Sequence, residues 1–341
     1  MHSNHTRLEA NSVTINNQKG KTPSGILFDR FGRKLNSLRV SVTQRCNLQC
    51  FYCHKEGEIS SYSGMTKREI IRIVEIACEL GMKKVKLTGG EPLLRDDLPK
   101  IVSEIADYAT EISLTTNGVL LEKYAKTLFN AGVKRVNVSL PSLIPERFQE
   151  ITKKDYVQQV KDGIEAAVKS RLYPVKVNMV MLKGVNVDEI PNAIDFVQKV
   201  GAMLQLIEFQ PIQPENYAYW KRFHYHPTQI ESWLEKKAIS VQENPLHKRR
   251  RYIIEKNGQT ASVEVVRPMH NSIFCQNCTR LRVTSDGKLK PCLLRNDNLV
   301  DIVSLIRQDA KSDVLKEAFK KAVQLREPYW KGEEKVVKSY T

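Results

Sequence analysis

The sequence predicts an α/β protein: an incomplete (βα)6 barrel of the TIM type, followed by a C-terminal α+β extension. Three observations carry this reading. Short β-rich runs alternate with amphipathic helical stretches six times between Leu38 and Phe209, the pattern of parallel strands with helices packed outside. Glycines stand where those helices should stop, at Gly81, Gly132 and Gly201. Polar and glycine motifs fall at the ends of the β-rich runs: Thr43 with a cysteine loop, Thr88-Gly89-Gly90-Glu91-Pro92, Thr115-Thr116-Asn117-Gly118, Ser139, and Glu208-Phe209-Gln210. Strand C-terminal ends form the catalytic face of such folds. Motifs from five of the six runs can meet over one mouth only if the sheet curls, which favours a barrel over an open doubly wound sheet.

In order, the strands are expected at 38–42, 84–87, 111–115, 135–140, 175–180 and 204–209. Helical periodicity fills 66–80, 97–108, 121–130, 156–171 and 188–200. Pro211 and Pro214 begin a change of character. A helix over 228–236 follows, then a hairpin of 252–256 and 259–266 turning on Asn257-Gly258. Two further helices are expected within 300–324. The expected organisation is a disordered polar leader (1–25), a barrel (26–215) and a C-terminal region (216–341) packed against the barrel mouth.

The chain has 341 residues, and Lys+Arg (54) exceed Asp+Glu (38), for a formal net charge of +16. Such an excess points to a polyanionic partner, whether nucleic acid, an acidic surface or a phosphorylated substrate. The dense run Lys248-Arg249-Arg250-Arg251 reads as a solvated basic face. No apolar stretch approaches the roughly 20 residues that span a bilayer, which excludes a transmembrane helix. The leader lacks the apolar core of a signal peptide, so the expectation is a cytoplasmic protein. Six of the seven cysteines fall in two clusters, and clusters without a secretion signal favour metal over disulfides. Cys78 lies in a helical pattern and reads as an inert core residue.

The first cluster, Cys46, Cys50 and Cys53, has C-x3-C-x2-C spacing on the loop after the first strand. Three thiolates this close suit an iron–sulfur cube with one iron left open to a small molecule. The competitor is a structural zinc with His54 as fourth ligand, which has no need to sit on a catalytic face. The second cluster is Cys275, Cys278 and, after thirteen intervening residues, Cys292. Alone it is ambiguous between zinc and iron–sulfur. Arg280 and Arg282 lie two apart and, in a strand, point to one side. Two forked cations beside an open metal site suit a phosphorylated ligand.

Arg39-Val40-Ser41-Val42-Thr43 followed by C-x3-C-x2-C with Tyr52 resembles the radical SAM superfamily. There a [4Fe–4S] cluster binds S-adenosylmethionine at the open iron and cleaves it to a 5′-deoxyadenosyl radical. The resemblance implies cofactor contacts from Tyr52 (adenine side), Gly90 (methionyl amino group), Ser139 (ribose side) and Gln210. Cys275 to Gly287, in the pattern C-x2-C-T-R-x-R-x-T-x2-G, then Pro291-Cys292-Leu293, narrows the resemblance to the GTP 3′,8-cyclases of molybdenum cofactor biosynthesis. Asp29-Arg30-Phe31-Gly32-Arg33 and Arg326-Glu327-Pro328-Tyr329 fit archaeal-type members. The implied cofactors are two [4Fe–4S] clusters and S-adenosylmethionine. The implied activity converts GTP to a 3′,8-cyclised dihydro-GTP, the second cluster holding the guanine. GTP contacts carried over are Arg39, Lys84, Lys86, Thr115, Lys176, Arg280, Leu281 and Arg282. The implied partners are an electron donor and a functional link to cyclic pyranopterin monophosphate synthase, with no nucleic acid and no membrane, a homodimer being left open.

This chain departs from the family pattern at several positions. Lys86 stands where many members have arginine, Gln205 where another substrate arginine is frequent, Gln210 for a methionine, and Pro141 for a frequent aspartate. The chain ends Lys338-Ser339-Tyr340-Thr341, without the Gly-Gly of bacterial-type members. Two other readings compete. A peptide-modifying radical SAM enzyme commonly carries more cysteines, and a basic zinc-binding nucleic-acid module leaves Gly90 and Ser139 without a role.

Overall fold

The computed structural model describes residues 25–58, 64–244, 249–269 and 272–327. Residues 1–24 of the expected leader, Lys248 of the basic run, Pro328-Tyr329 and the C-terminal residues lie outside that set. Six parallel strands run in sequence order: β1 (Ser37–Ser41), β2 (Lys84–Thr88), β3 (Glu111–Thr116), β4 (Val133–Ser139), β5 (Val175–Met181) and β6 (Met203–Glu208). Each overlaps its predicted run. Residues alternate across each strand. Leu38 and Val40 of β1, Val85 and Leu87 of β2, and Val177 and Met179 of β5 are buried in the helix-facing core. Arg39, Lys86 and Lys176, with the opposite parity, line the inner wall.

Helices α1 (Lys67–Glu79), α2 (Leu98–Ile105), α3 (Leu121–Ala131), α4 (Pro145–Thr152), α5 (Val157–Lys169) and α6 (Ile190–Val200) fill the connections. In α1, Ile70, Ile73, Val74 and Ala77 form the i, i+3, i+4, i+7 stripe and are fully buried. Thr66 and Glu69 close a capping box at its start. Arg307, from the C-terminal region, donates to the same Glu69 at 2.7 Å. Cys78, on this helix, is buried in the core as expected. Burial pushes its thiol up to about 11.

The C-terminal region corrects the expected arrangement. It includes helices α7 (Asn216–Phe223) and α8 (Pro227–Lys237), and its strands do not cap the mouth but extend the sheet on both edges. Strands β7 (Ala238–Glu243), β8 (Arg250–Lys256) and β9 (Gln259–Val266) form a meander, and β9 pairs parallel with β6. At the other edge β10 (Arg280–Val283) pairs parallel with β1, followed by antiparallel β11 (Lys288–Lys290) and β12 (Val300–Asp301). The result is a 12-stranded sheet in which β10, β1 to β6 and β9 are parallel neighbours. The predicted incomplete barrel is present, and its wall continues past the proposed boundary at residue 215.

Because β10 runs parallel to β1, the second cysteine group lies at the end of the wall opposite the mouth. Cys278 precedes β10, and Thr279 O accepts from Asn36 N just before β1 (3.2 Å). The first cysteine group follows the other end of β1. The length of the five-residue strand, about 16 Å, plus the flanking loops separates the two groups.

Candidate active site

The cysteine loop after β1 is pinned from below by the glycine motif after β2. Gly90 N donates to Thr43 O (2.7 Å) and Glu91 N to Arg45 O (2.7 Å). A Cβ on Gly90 would stand 2.4 Å from the carbonyl oxygens of both Gln44 and Arg45. This glycine is therefore demanded by the cysteine loop itself, whatever ligand it also approaches. Glu91 is fully buried and accepts from Thr116 Oγ1 (2.7 Å), Asn117 N (2.6 Å) and Leu93 N (3.0 Å). Burial raises its pKa to about 7 against these donors. Asn117 in turn reaches Asn47 Oδ1 (2.7 Å) and Cys46 Sγ (3.9 Å). Loops after β1, β2 and β3 thus form one hydrogen-bonded floor.

Cys46 and Cys53 are exposed and Cys50 half-buried. The sulfurs of Cys46 and Cys53 already accept backbone N–H groups, from Leu48 (3.5 Å) and Lys55 (3.4 Å), as ligated thiolates do. Burial and the neighbouring Cys53 and Cys46 push the Cys50 thiol up to about 12, so three thiolates here require positive charge such as iron supplies. By its chemistry a three-thiol set is what a [4Fe–4S] cluster takes, although among the described residues no three His, Cys, Asp or Glu side chains are already gathered as a metal site. His54, the competing zinc ligand, is engaged otherwise: its Nδ1 accepts Glu56 N at 3.1 Å. Tyr52 packs edge-on against Phe51 and Phe209. Ser139 ends β4 opposite Asn178 in register, and Gln210 follows β6, half-buried.

Immediately after Cys53 the chain makes a turn that sequence reasoning missed. Lys55, Glu56 and Gly57 all have positive φ (48°, 52° and 67°), and the turn drives Glu56 into the barrel. There Arg282 Nη1 donates to its carboxylate at 2.6 Å, Arg39 Nη1 at 3.3 Å and Thr88 Oγ1 at 3.0 Å. Burial would raise its pKa, but Arg39, Arg282 and His54 hold the carboxyl well below the usual range. Gly57 lies against the second cysteine region, where a Cβ would meet Leu293 O at 2.2 Å. Lys290 Nζ donates to Gly57 O (2.9 Å). This turn couples the two cysteine loops.

Asp29, Arg33 and Arg326 brace the second cysteine loop. Asp29 accepts Arg33 Nε (2.7 Å) and Arg326 Nη1 (2.9 Å). Those arginines also donate to Cys275 O (2.8 Å) and Cys278 O (2.5 Å), clamping the backbone of the second loop. Burial pushes the Cys278 thiol up, but Arg326, Arg280 and Arg282 outweigh it and hold it below its ordinary value. Cys275, Cys278 and Cys292 are half-buried around these cations.

Between the two loops the inner wall is cationic. Lys86 Nζ reaches Asn137 Oδ1 (3.2 Å), Asn137 Nδ2 reaches Gln205 Oε1 (3.2 Å), and Gln205 Nε2 reaches Glu264 Oε2 (2.6 Å). Glu264 also pairs with Lys176 at 2.8 Å. Burial pushes Lys86 well down, as do its neighbours Arg39, Arg135, Arg280 and Lys176. Arg280 falls to about 10, through burial and the nearby Arg39, Arg282 and Arg249. Thr115 lies on this wall opposite Asn137. Two predicted contacts sit apart. Lys84 is exposed at the start of β2, level with Ser37 and, beyond it, Arg280. Leu281 is fully buried among the core side chains and pairs with Leu38 in the sheet, so its side chain does not reach the wall. Arg39 Nε and Asn178 Oδ1, among others, are buried without a hydrogen-bond partner among the described residues.

Residues 40–197 match the family model described as Radical SAM superfamily, and residues 202–332 the one described as Molybdenum Cofactor Synthesis C. Fold and loop arrangement are those of a radical SAM protein, a class that carries a [4Fe–4S] cluster and S-adenosylmethionine. Curated relatives named probable GTP 3′,8-cyclase include one from Thermococcus kodakarensis, 49% identical over 90% of this chain and 100% of its own length. One from Pyrococcus abyssi is 49% identical (89% and 100%), and one from Methanocaldococcus jannaschii 45% (89% and 99%). The chain belongs to this GTP 3′,8-cyclase family. Among solved structures, Streptococcus suis SuiB superposes with a TM-score of 0.61 at 12% identity, covering 85% of this chain and 69% of SuiB. The structure of anSMEcpe with bound AdoMet gives 0.53 at 19% identity, covering 84% and 81%. At these identities the likeness speaks for the fold. No helix among the described residues is long and apolar enough to cross a membrane.

Proposed function

We propose that this protein converts GTP to (8S)-3′,8-cyclo-7,8-dihydroguanosine 5′-triphosphate, the first step of molybdenum cofactor biosynthesis. The observation that carries the reading is the cationic wall between two three-cysteine loops, in a chain of this family. Cys46, Cys50 and Cys53 would hold the first [4Fe–4S] cluster, and Cys275, Cys278 and Cys292 a second. When bound, the first cluster and S-adenosylmethionine supply a carbon-centred radical able to take a ribose hydrogen.

The chain's own residues do the placing. Tyr52, Gly90, Ser139 and Gln210 line the cofactor side of the mouth, with Asn178 beside Ser139 as a further acceptor. Arg39, Lys86, Thr115, Lys176, Arg280 and Arg282 face the nucleotide between the loops. Lys84, exposed at the strand start, would act only on a ligand reaching that end. A one-electron donor must reach the exposed side of the first loop, and a cyclic pyranopterin monophosphate synthase would consume the product. The protein would act in the cytoplasm.

The test is anaerobic reconstitution with dithionite, S-adenosylmethionine and GTP. The expected result is 5′-deoxyadenosine formed together with a cyclised nucleotide. Deoxyadenosine formed without GTP consumption would overturn the cyclase assignment while leaving the superfamily intact.

A further inference from the structure

The basic run ahead of the hairpin is not the solvated face its composition suggests. Among the described residues of the run, Arg250 points outward, where it is exposed and pairs with Glu235. Its neighbours in the alternating pattern turn inward. Arg251 donates to the single oxygen Glu264 Oε1 through both Nε (3.1 Å) and Nη2 (2.7 Å), a charge-assisted contact. Arg249 Nη1 stands 3.8 Å from Glu264 Oε2. Lys176 holds that same oxygen at 2.8 Å. Three cations thus share one carboxylate that is nearly buried, its side chain 7% exposed.

That arrangement is out of electrostatic balance. One carboxylate matches one of the three charges, and the next acidic hub on the wall, Glu56, is already shared by Arg39 and Arg282. Arg249 also lies close enough to Arg280 for each to feel the other's charge. Cations crowded at a half-buried wall repel one another unless an anion joins them. The anion that fits is extended and multiply charged, because the surplus runs from Arg251 and Lys176 through Arg249 to Arg280.

We propose that Arg249 and Arg251 join Lys176 in holding the phosphates of a nucleoside triphosphate, Glu264 keeping the three cations in place before the ligand arrives. The inference rests on the GTP reading and deepens it. It also gives a physical answer to Gln205. Strand β6 supplies no cation at that level, and Gln205 instead donates to Glu264 (2.6 Å), so the charge is delivered from β8, two strands along.

Cluster-loaded enzyme without S-adenosylmethionine is dialysed to equilibrium against GTP and against GMP. Arg249→Gln and Arg251→Gln should each weaken GTP by about tenfold, the worth of a charged hydrogen bond, while GMP changes far less. The preference for GTP over GMP therefore falls. Arg251→Lys, which keeps charge but loses the fork, should lie between, and Arg250→Gln should match the unmodified enzyme. An unchanged GTP-to-GMP ratio in the double variant overturns the inference, as does equal weakening of both nucleotides. If the double variant does not fold, Arg249→Lys and Arg251→Lys carry the same comparison. Unmodified enzyme that binds neither nucleotide overturns the cyclase reading itself; tight GTP binding with an unaffected double variant overturns this inference alone.

Discussion

Replacing Glu56 by glutamine removes a charge and keeps the shape, which makes it the most direct probe of the turn after Cys53. The carboxylate lies at hydrogen-bond distance from two guanidinium groups, at 2.6 Å and 3.3 Å. The side chains of Glu56 and Arg282 are each about nine-tenths buried, and that of Arg39 four-fifths. Breaking a buried ion pair from one side typically costs 3–5 kcal/mol, because the abandoned charge stays buried. Arg39 retains some solvent, which puts the expected loss near the lower bound, about 3 kcal/mol. With a urea slope of about 3 kcal/mol/M for a chain of this size, the midpoint should fall by roughly 1 M. Anaerobic urea titration of cluster-loaded protein, followed by tryptophan fluorescence, measures it. A midpoint within about 0.2 M of the unmodified protein would refute the claim that Glu56 holds these arginines.

Gly57→Ala tests the coupling of the two loops from the backbone side. Its φ of 67° and the Leu293 carbonyl 2.2 Å from the added Cβ predict a loss of about 2–4 kcal/mol, and an unshifted melting transition would contradict the packing. Glu264→Gln tests the second acidic hub through pH. Burial raises the Glu264 pKa, but Lys176, Arg251 and Gln205 outweigh it and bring it to about 2. A depressed carboxylate pKa contributes stability above its unfolded value of 4.5, and that contribution is lost as pH falls toward 2. Roughly 2.5 pH units correspond to at most about 3 kcal/mol. The stability gap between unmodified protein and Glu264→Gln should therefore narrow on acidification from pH 5 to 3, and a constant gap would contradict the pairing. Cys275→Ala should leave the first cluster intact, lower bound iron by roughly half, and abolish GTP conversion. Full turnover in that variant would show that the second loop does not anchor the substrate.

Strands β1 to β6 were legible because buried parallel strands read as continuous β-rich runs and their helices as 3.6-residue stripes. Side-chain periodicity says nothing, however, about which strand adopts which neighbour. The pairing of β1 with β10 joins Leu38 to Leu281, a partnership no local pattern encodes, and it moved the second cysteine loop from the mouth to the far end. The cysteines themselves were legible from spacing alone. Glu56 was not, because its inward direction depends on a left-handed turn that an ordinary Lys-Glu dipeptide does not announce. Arg251 and Glu264 were within reach of the sequence. A two-residue turn at Asn257-Gly258 fixes the hairpin register, and that register sets Arg251 opposite Glu264. Composition drew attention to the charges of the run and away from their alternation.

The wall that separates the two cysteine loops also sets an order of events during synthesis. One edge of β1 remains unpaired until Arg280–Val283 has left the ribosome, since β10 is the strand that covers it. Until then the thiols of Cys46, Cys50 and Cys53 sit on a chain whose barrel is still open at that edge, and Glu56 lacks Arg282. Iron delivered to the first loop before the last fifth of the chain is made would meet a half-built site. Assembly of both metal centres is thereby tied to completion of a single sheet, and a nascent chain arrested before residue 280 is expected to load neither stably.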